Sequence, residues 1–285
     1  PDGQLVVVSH DLQRCVSAGR IAPSLQAALD DWDRLAPALS ALSTQLNKGE
    51  ISGQPFEPSA VLAPLPRAFQ WIDGAGYMGH LERVRSLKGS KDAELQSVRP
   101  LLYQGGSDSL SGASDPIVVP EDDLALDFEV EVAVIIGAVP MRPSREQAAA
   151  AIRLVTICND VSLRRLVADD LQNGFGFFHS KPSTSFAPVV VTPDIVEAAR
   201  PRQLGAGTII GSGTIANHHD ATLPIKEDGI GFGCIAEART AEKAKFGRAR
   251  TSFLKPGDRV RIAAIGTGGR SVFGDIDQTV VALRP

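Results

Sequence analysis

LDFEVEVAVIIG, residues 126–137, begins as a strict alternation of acidic and apolar side chains and ends as an unbroken apolar run. Successive side chains of a β-strand point to opposite faces. Asp127, Glu129 and Glu131 therefore share one face, and Phe128, Val130 and Val132 the other. The AVIIG half is apolar on both faces, as a strand covered on both sides must be. An acidic face that runs into a buried stretch needs a neutralising positive charge, and a hard divalent cation with carboxylate ligands supplies one. The competing reading is a half-solvated antiparallel strand with its acids in water.

Working outward, short β-branched runs bounded by Gly, Pro, Asp and Ser recur at PIVVP (116–120), RLVTIC (153–158), APVVVT (187–192), GTIIGSGT (207–214), DRVRIAAIG (258–266) and QTVVAL (278–283). They read as strands of an α+β, mostly β domain. One helix is expected among them, REQAAAAIRL, with Ser144 as its cap and Gln147 placed for a capping box. A single helix among so many strands argues against a doubly wound α/β fold. Residues 1–65 read as a separate small α/β unit, opening with the strand LVVV (5–8). Leu25, Leu29, Trp32, Leu35, Leu39, Leu42 and Leu46 then recur at helical spacing. Pro37 interrupts this stripe, so two helices are expected, the second starting near Pro37 as a first-turn residue. A proline-rich joint at 55–69 leads into the main domain, residues 66–285.

The 285 residues are 43% hydrophobic and 22% charged, a composition that buries a core without disulfides. With 29 basic and 33 acidic residues the formal net charge is −4, so no nucleic-acid partner is expected. No window approaches the length of an apolar membrane span, so no membrane partner is expected either. Cys15, Cys158 and Cys234 lie far apart without a CxxC pair. The opening PDGQLVVVSHD has neither the basic flank nor the apolar core of a signal peptide, and a reducing cytoplasmic location is expected.

Other stretches carry candidate chemistry. In CNDVSLRR (158–165), Asp160 sits at a strand end, as a functional carboxylate or as an Asx turn. A strand–helix–strand return would bring it back to Glu131. In FQWIDGAGYMGHLERVR (69–85), Asp73 and His80 bracket a Gly-rich turn, and His80 is either a general base or a structural histidine. In FGFFHSKPSTSF (175–186), Lys181 is a desolvated cation or a snorkelling lysine. His218, His219 and Asp220 make a weak metal cluster, because adjacent side chains point apart. GTGGRSVFG (266–274) lacks the strand–loop–helix context of a dinucleotide site, and no GxSxG elbow occurs.

An Asp–six residues–His loop, an ExE strand, NDxSxR, a Lys after an aromatic run, GSGT and a late Glu follow one another in this order. Together they resemble the fumarylacetoacetate hydrolase family from residue 60 to the end, most closely its bacterial branch with a short N-terminal domain. The resemblance implies a mixed β-roll catalytic domain with a small N-terminal α/β domain, usually in a homodimer. It implies hydrolysis of a carbon–carbon bond in a 1,3-diketo acid, most directly fumarylacetoacetate to fumarate and acetoacetate in aromatic amino-acid (tyrosine) degradation. By the same resemblance Asp73, Glu129, Glu131 and Asp160 hold a divalent ion, Mg²⁺ or Ca²⁺ with Mn²⁺ as a further option. His80 matches the general base, Glu237 in GCIAEAR its carboxylate partner, and Lys181 the cation that stabilises developing charge. Tyr103 in LLYQGG, Arg164 and Thr214 match substrate-contacting positions.

Acylpyruvate hydrolysis, or decarboxylation, isomerisation or hydration of 2-oxo acids, are the family's other chemistries. The joint presence of His80 and Glu237 favours hydrolysis, and the four carboxylates disfavour a non-catalytic binding protein. Some family features are altered. Val167 stands where many relatives carry Gln, with Gln172 nearby. Gly89 stands where an Arg is sometimes found, with Arg83, Arg85 and Lys88 as neighbours. The segment between Ala199 and Gly207 is short, either truly so or through a missing stretch. HHDATLPIKEDGIGFG (218–233) is expected to be a mobile lid over the metal.

Overall fold

Two helices carry the N-terminal apolar stripe, but the break between them falls at Asp31 rather than at Pro37. The computed structural model describes residues 3–77, 79–80, 101–120, 124–174, 176–193, 206–216 and 231–283. Arg83, Arg85, Lys88, Gly89, the segment after Ala199, the His218–His219–Asp220 cluster and most of the expected lid lie outside the described residues. Strands β1 (Val6–Val8), β2 (Arg14–Ser17) and β3 (Gln54–Pro55) form a small antiparallel sheet. Ser24 caps α1 (Leu25–Asp30), its hydroxyl accepting the Ala27 N–H at 3.2 Å. Next, α2 (Trp32–Lys48) runs through Pro37 and ends at Gly49, whose left-handed φ of 73° lets its N–H close on the carbonyls of Gln45 and Leu46. Proline in the second turn forfeits one backbone hydrogen bond. Burial of Leu35 and Leu46 on either side holds the helix through it.

The remaining strands are β4 (Trp71–Gly74), β5 (Leu102–Gly105), β6 (Ile117–Val119), β7 (Leu126–Asp127), β8 (Val130–Ile136) and β9 (Ile152–Asn159). They are followed by β10 (Ser162–Leu163), β11 (Ser185–Phe186), β12 (Thr208–Gly211), β13 (Arg259–Ile262) and β14 (Ile276–Ala282). Six of them make a mixed sheet in the order β11–β9–β8–β12–β4–β5, in which only β12 and β4 run parallel. A second sheet has the order β13–β14–β6, and β7 pairs with β10. Ile136, Val155, Ile157 and Ile210 from one face of the large sheet meet Ile117, Val119, Val260, Ile262, Ile276 and Val280 of the small sheet. Trp71, Ala133, Ile135, Leu154, Phe186 and Ile209 form the other core, which Leu29 of α1 joins together with Ala63 and Leu65. The result is the α+β, mostly β architecture expected from the sequence. No helix among the described residues is long and apolar enough to cross a membrane.

Several local expectations change. LDFEVEVAVIIG is not one strand: β7 and β8 are separate, and Glu129 between them makes an isolated bridge to Cys234. APVVVT is not a regular strand, because Pro188 has no N–H to donate. In that run Ala187 donates its N–H to the Ile157 carbonyl of β9 at 3.0 Å, and Val191 bridges Val155 of β9 with N···O distances of 2.7 and 3.0 Å. Ser144 does form the capping box of α3 (Arg145–Ala150), accepting the Gln147 N–H at 3.2 Å while Gln147 accepts the Ser144 N–H at 2.9 Å. This helix ends sooner than expected, since Ile152, Arg153 and Leu154 already belong to β9. Two further helices, α4 (Arg164–Asn173) and α5 (Ile235–Phe246), were not legible as helices. None of the residues of α4 is fully buried, and α5 alternates small and charged residues without an apolar stripe.

Candidate active site

Asp127, Glu129 and Glu131 are 0, 5 and 0% exposed, which excludes the half-solvated reading of their strand. Glu131 lies on the face of β8 that also carries the buried Ala133 and Ile135. In the next strand, Gly211 of β12 pairs with Ala133 on one side and with Asp73 of β4 on the other. A Cβ on Gly211 would stand 2.7 Å from both Asp73 Oδ1 and Glu131 Oε2, so the missing side chain is what lets the two carboxylates meet across the strand. Gly213, with φ of 78°, donates its N–H to Asp73 Oδ1 and to Glu131 Oε2, each at 3.1 Å. Asp160 arrives from the end of β9, by the strand–helix–strand return. Carboxylate oxygens of Asp73, Glu131 and Asp160 then lie within 4.8 Å of one another.

Cations and hydroxyls surround this cluster unevenly. Lys181 Nζ contacts Asp160 Oδ2 at 2.5 Å and Glu129 Oε1 at 2.9 Å, with its side chain 9% exposed, so it is a desolvated cation and not a snorkelling one. Tyr103, paired with Asp73 on β5, donates its hydroxyl to Asp160 Oδ2 at 2.8 Å, and Thr184 donates to Asp160 Oδ1 at 2.7 Å. Glu129 is held by Arg164 Nη1 at 3.1 Å, by Lys181, and by the hydroxyls of Ser162 and Thr214. Burial alone would raise the Glu129 carboxyl, but Arg164 and Lys181 hold it well below the usual range. For Asp73 and Glu131 the balance is reversed. Burial, then the neighbouring Asp160, pushes Asp73 up to about 7. Burial, then Asp73 and Asp160, raises Glu131 well above its ordinary value.

Arg164 and Lys181 thus serve Asp127, Glu129 and one oxygen of Asp160, leaving the carboxylates of Asp73, Glu131 and Asp160 crowded against each other. Glu131 Oε1 is buried without a hydrogen-bond partner among the described residues. An orphaned, buried carboxylate oxygen beside two further carboxylates is a donor set suited to a hard divalent cation such as Mg²⁺, Mn²⁺ or Ca²⁺. Glu129, expected from the resemblance as a fourth ligand, lies in the adjoining cation-bound network and not in this three-carboxylate group.

Next to the cluster, His80 Nδ1 lies 2.7 Å from Glu237 Oε1, with side chains 15% and 0% exposed. The carboxylate fixes Nδ1 as the donor and leaves Nε2 to accept a proton. Glu237 lies in the first turn of α5, whose N-cap Cys234 bridges to Glu129, so the pair stands beside the acidic cluster. Asp73, Glu129, Glu131, Asp160, Tyr103, Arg164, Lys181 and Thr214 form one contiguous network among themselves. Sequence reasoning missed the parts played by Ser162, Thr184 and Asp127. Ser162 lies inside the NDxSxR run and Thr184 three residues after Lys181, so both had a local signal. Asp127 binds backbone N–H groups 108 and 109 residues away, for which no sequence signal exists.

A mixed β-sheet that gathers buried carboxylates beside a histidine–carboxylate pair is a candidate active site. The chain belongs to the fumarylacetoacetate hydrolase family: residues 1–67 match its fumarylacetoacetase N-terminal domain 2, and residues 70–203 its fumarylacetoacetate (FAA) hydrolase C-terminal domain. It is 26% identical over 134 residues to oxaloacetate tautomerase fahd2, mitochondrial, of Xenopus laevis, which covers 46% of this chain and 41% of that protein. It is 32% identical over 100 residues to 2,4-didehydro-3-deoxy-L-rhamnonate hydrolase of Sphingomonas sp. (strain SKA58), covering 34% of each. The chain therefore spans less than half the length of these curated relatives. The solved maleylpyruvate hydrolase from Sphingobium sp. SYK-6, in complex with manganese(II) and pyruvate, shares the fold with a TM-score of 0.61 at 17% identity, over 100% of this chain and 98% of that one. Hydrolases and a tautomerase thus both stand among its relatives.

Proposed function

We propose that this chain is a divalent-metal-dependent hydrolase that cleaves a carbon–carbon bond in a 1,3-diketo acid, fumarylacetoacetate or a close acylpyruvate. The observation that carries this reading is the His80–Glu237 pair at 2.7 Å beside the crowded Asp73, Glu131 and Asp160. Tautomerisation alone does not need an activated water, whereas hydrolysis does. The division at residues 65/66, a homodimeric assembly and a cytoplasmic location belong to the same reading.

Asp73, Glu131 and Asp160 would hold the cation, with Glu129 beside them in the Arg164–Lys181 network, and the bound ion would supply Lewis acidity toward the paired oxygens of a diketone. His80 Nε2 takes a proton from water as the hydroxyl adds to the carbonyl carbon, and Glu237 stabilises the imidazolium that results. The tetrahedral adduct collapses to a carboxylic acid, and the carbon–carbon bond breaks with its electron pair leaving on the departing fragment as an enolate. That fragment takes the proton back and becomes a ketone, so water is consumed and no oxidant is needed. Lys181 stays charged throughout: burial works against its ammonium, but Asp160 and Glu129 raise it above its ordinary range. It is the cation that stabilises the enolate. Arg164 Nη2 is buried without a partner among the described residues, which supports a contact to a substrate carboxylate.

The test is an absorbance assay of the purified protein with Mg²⁺, Mn²⁺ or Ca²⁺ against fumarylacetoacetate, fumarylpyruvate, acetylpyruvate and oxaloacetate. Loss of diketone absorbance with stoichiometric release of acid and ketone is expected. His80→Gln should abolish turnover and leave ion affinity intact; undiminished turnover in that variant removes His80 as the base. Activity in excess chelator removes the metal. The tautomerase relative favours a second reading, enol–keto isomerisation, for which oxaloacetate would interconvert without any cleavage product.

A further inference from the structure

Asp127 is wholly buried, and the chemistry above makes no use of it. Its Oδ1 accepts the Ile235 N–H at 2.7 Å and its Oδ2 the Ala236 N–H at 2.8 Å, so the carboxylate grips the first two N–H groups of α5. Oδ2 also accepts from Arg164 Nε at 2.9 Å, and Nη1 of the same guanidinium reaches Glu129 Oε1 at 3.1 Å. The residue after this grip is Glu237, which holds His80.

We propose that Asp127 is a positioning residue, which registers the first turn of α5 against Arg164 and Glu129 so that Glu237 presents His80 to the carboxylate cluster. Capping alone does not call for a buried charge. Cys234 stands at the N-cap with φ −155° and ψ 165°, the extended backbone from which a serine would cap, yet it makes no side-chain cap bond. A buried carboxylate is tolerated when paired, and the partner here is a guanidinium whose far side holds Glu129. The planar guanidinium fixes the spacing and orientation of both carboxylates. A continuous path therefore runs from Glu129 through Arg164, Asp127 and the first turn of α5 to Glu237 and His80. Positional errors of about an ångström in such a path cost up to a hundredfold in rate.

Two variants test this, Asp127→Asn and the double variant Asp127→Asn/Cys234→Ser, in which serine supplies a local cap. The imidazole nitrogens of His80 are followed by NMR in isotope-labelled, metal-free protein, and kcat and KM are measured with Mn²⁺. Folded Asp127→Asn should show His80 exchanging between tautomers in place of one fixed Nδ1–H form. Its kcat should fall by about ten- to a hundredfold with KM altered by less than about threefold. The double variant should regain thermal stability but neither the single tautomer nor kcat, and it decides the matter if Asp127→Asn alone does not fold. An unchanged His80 spectrum in either folded variant, or recovery of both signals through Cys234→Ser, overturns the proposal. The kinetic arm rests on the hydrolase reading, whereas the tautomer arm stands without it, so failure of one is told apart from failure of the other.

Discussion

Glu129 and Glu131 are two residues apart in one acidic run, yet the fold holds one carboxyl below its ordinary range and the other above it. The difference lies in what faces each side chain: two cations and two hydroxyls for Glu129, two further carboxylates for Glu131. Replacing Glu131 with Gln keeps the shape and removes one of the crowded charges. Metal-free Glu131→Gln should unfold at a higher temperature than the parent at pH 8, and bind Mn²⁺ roughly tenfold or more weakly, about 1.4 kcal/mol. Calorimetric scans in chelator and an ion titration measure both; a lower unfolding temperature would show that the crowding argument is wrong. Lys181 presents the opposite case. Lys181→Met leaves Glu129 and Asp160 buried without their shared cation, and breaking such a pair costs about 3–5 kcal/mol. Urea unfolding at neutral pH should show a loss of that order, and a loss below about 1 kcal/mol would place Lys181 outside the buried network.

At the scale of elements, the site depends on glycine as much as on acids. Gly211 sits between the strands of Asp73 and Glu131, and a Cβ there would also come within 2.5 Å of Trp71. Gly211→Ala should therefore destabilise the protein by about 1–3 kcal/mol and weaken ion binding, because the two carboxylates are pushed apart. Parental stability together with parental affinity would mean that β12 does not separate them as described. The same scale shows what a sequence makes legible. Ser144 and Gln147 announce α3 because a capping box is local, and β8 and β9 stand out because they are rich in β-branched apolar residues. The helices α4 and α5 leave no such mark. Their stability comes from contacts made far away in sequence, among them the cap that Asp127 lends to α5.

For the whole molecule, protons and the proposed divalent ion would compete for the same buried oxygens. Asp73 has a folded value of about 7 against an ordinary 3.8. A carboxyl raised in the folded state contributes stability that is complete below pH 4 and is lost as the pH rises through 7. Glu129 has the opposite sign: its contribution is complete above its ordinary 4.5 and is lost progressively as the pH falls below that. The metal-free protein therefore carries its largest electrostatic burden at neutral and alkaline pH, where the cluster is most ionised. Mn²⁺ at a hundred times its dissociation constant should raise stability by about 2.7 kcal/mol at pH 8, several degrees in unfolding temperature, and by far less at pH 5. Equal gains at both values would show that the ion does not replace protons on Asp73 and Glu131.

The sequence by itself determined the class of fold, since β-branched runs, turn residues and a capping box are local properties. It also marked the candidate site residues, because the acidic run, the His after the glycine turn and the Lys after the aromatics each leave a mark at their own position. Only the tertiary structure decided how those residues divide the work. Strand register set which carboxylates meet, so that Asp73, Glu131 and Asp160 converge while Glu129 joins Arg164 and Lys181. Burial then set their charge, because desolvation and neighbouring ions act through space and not along the chain.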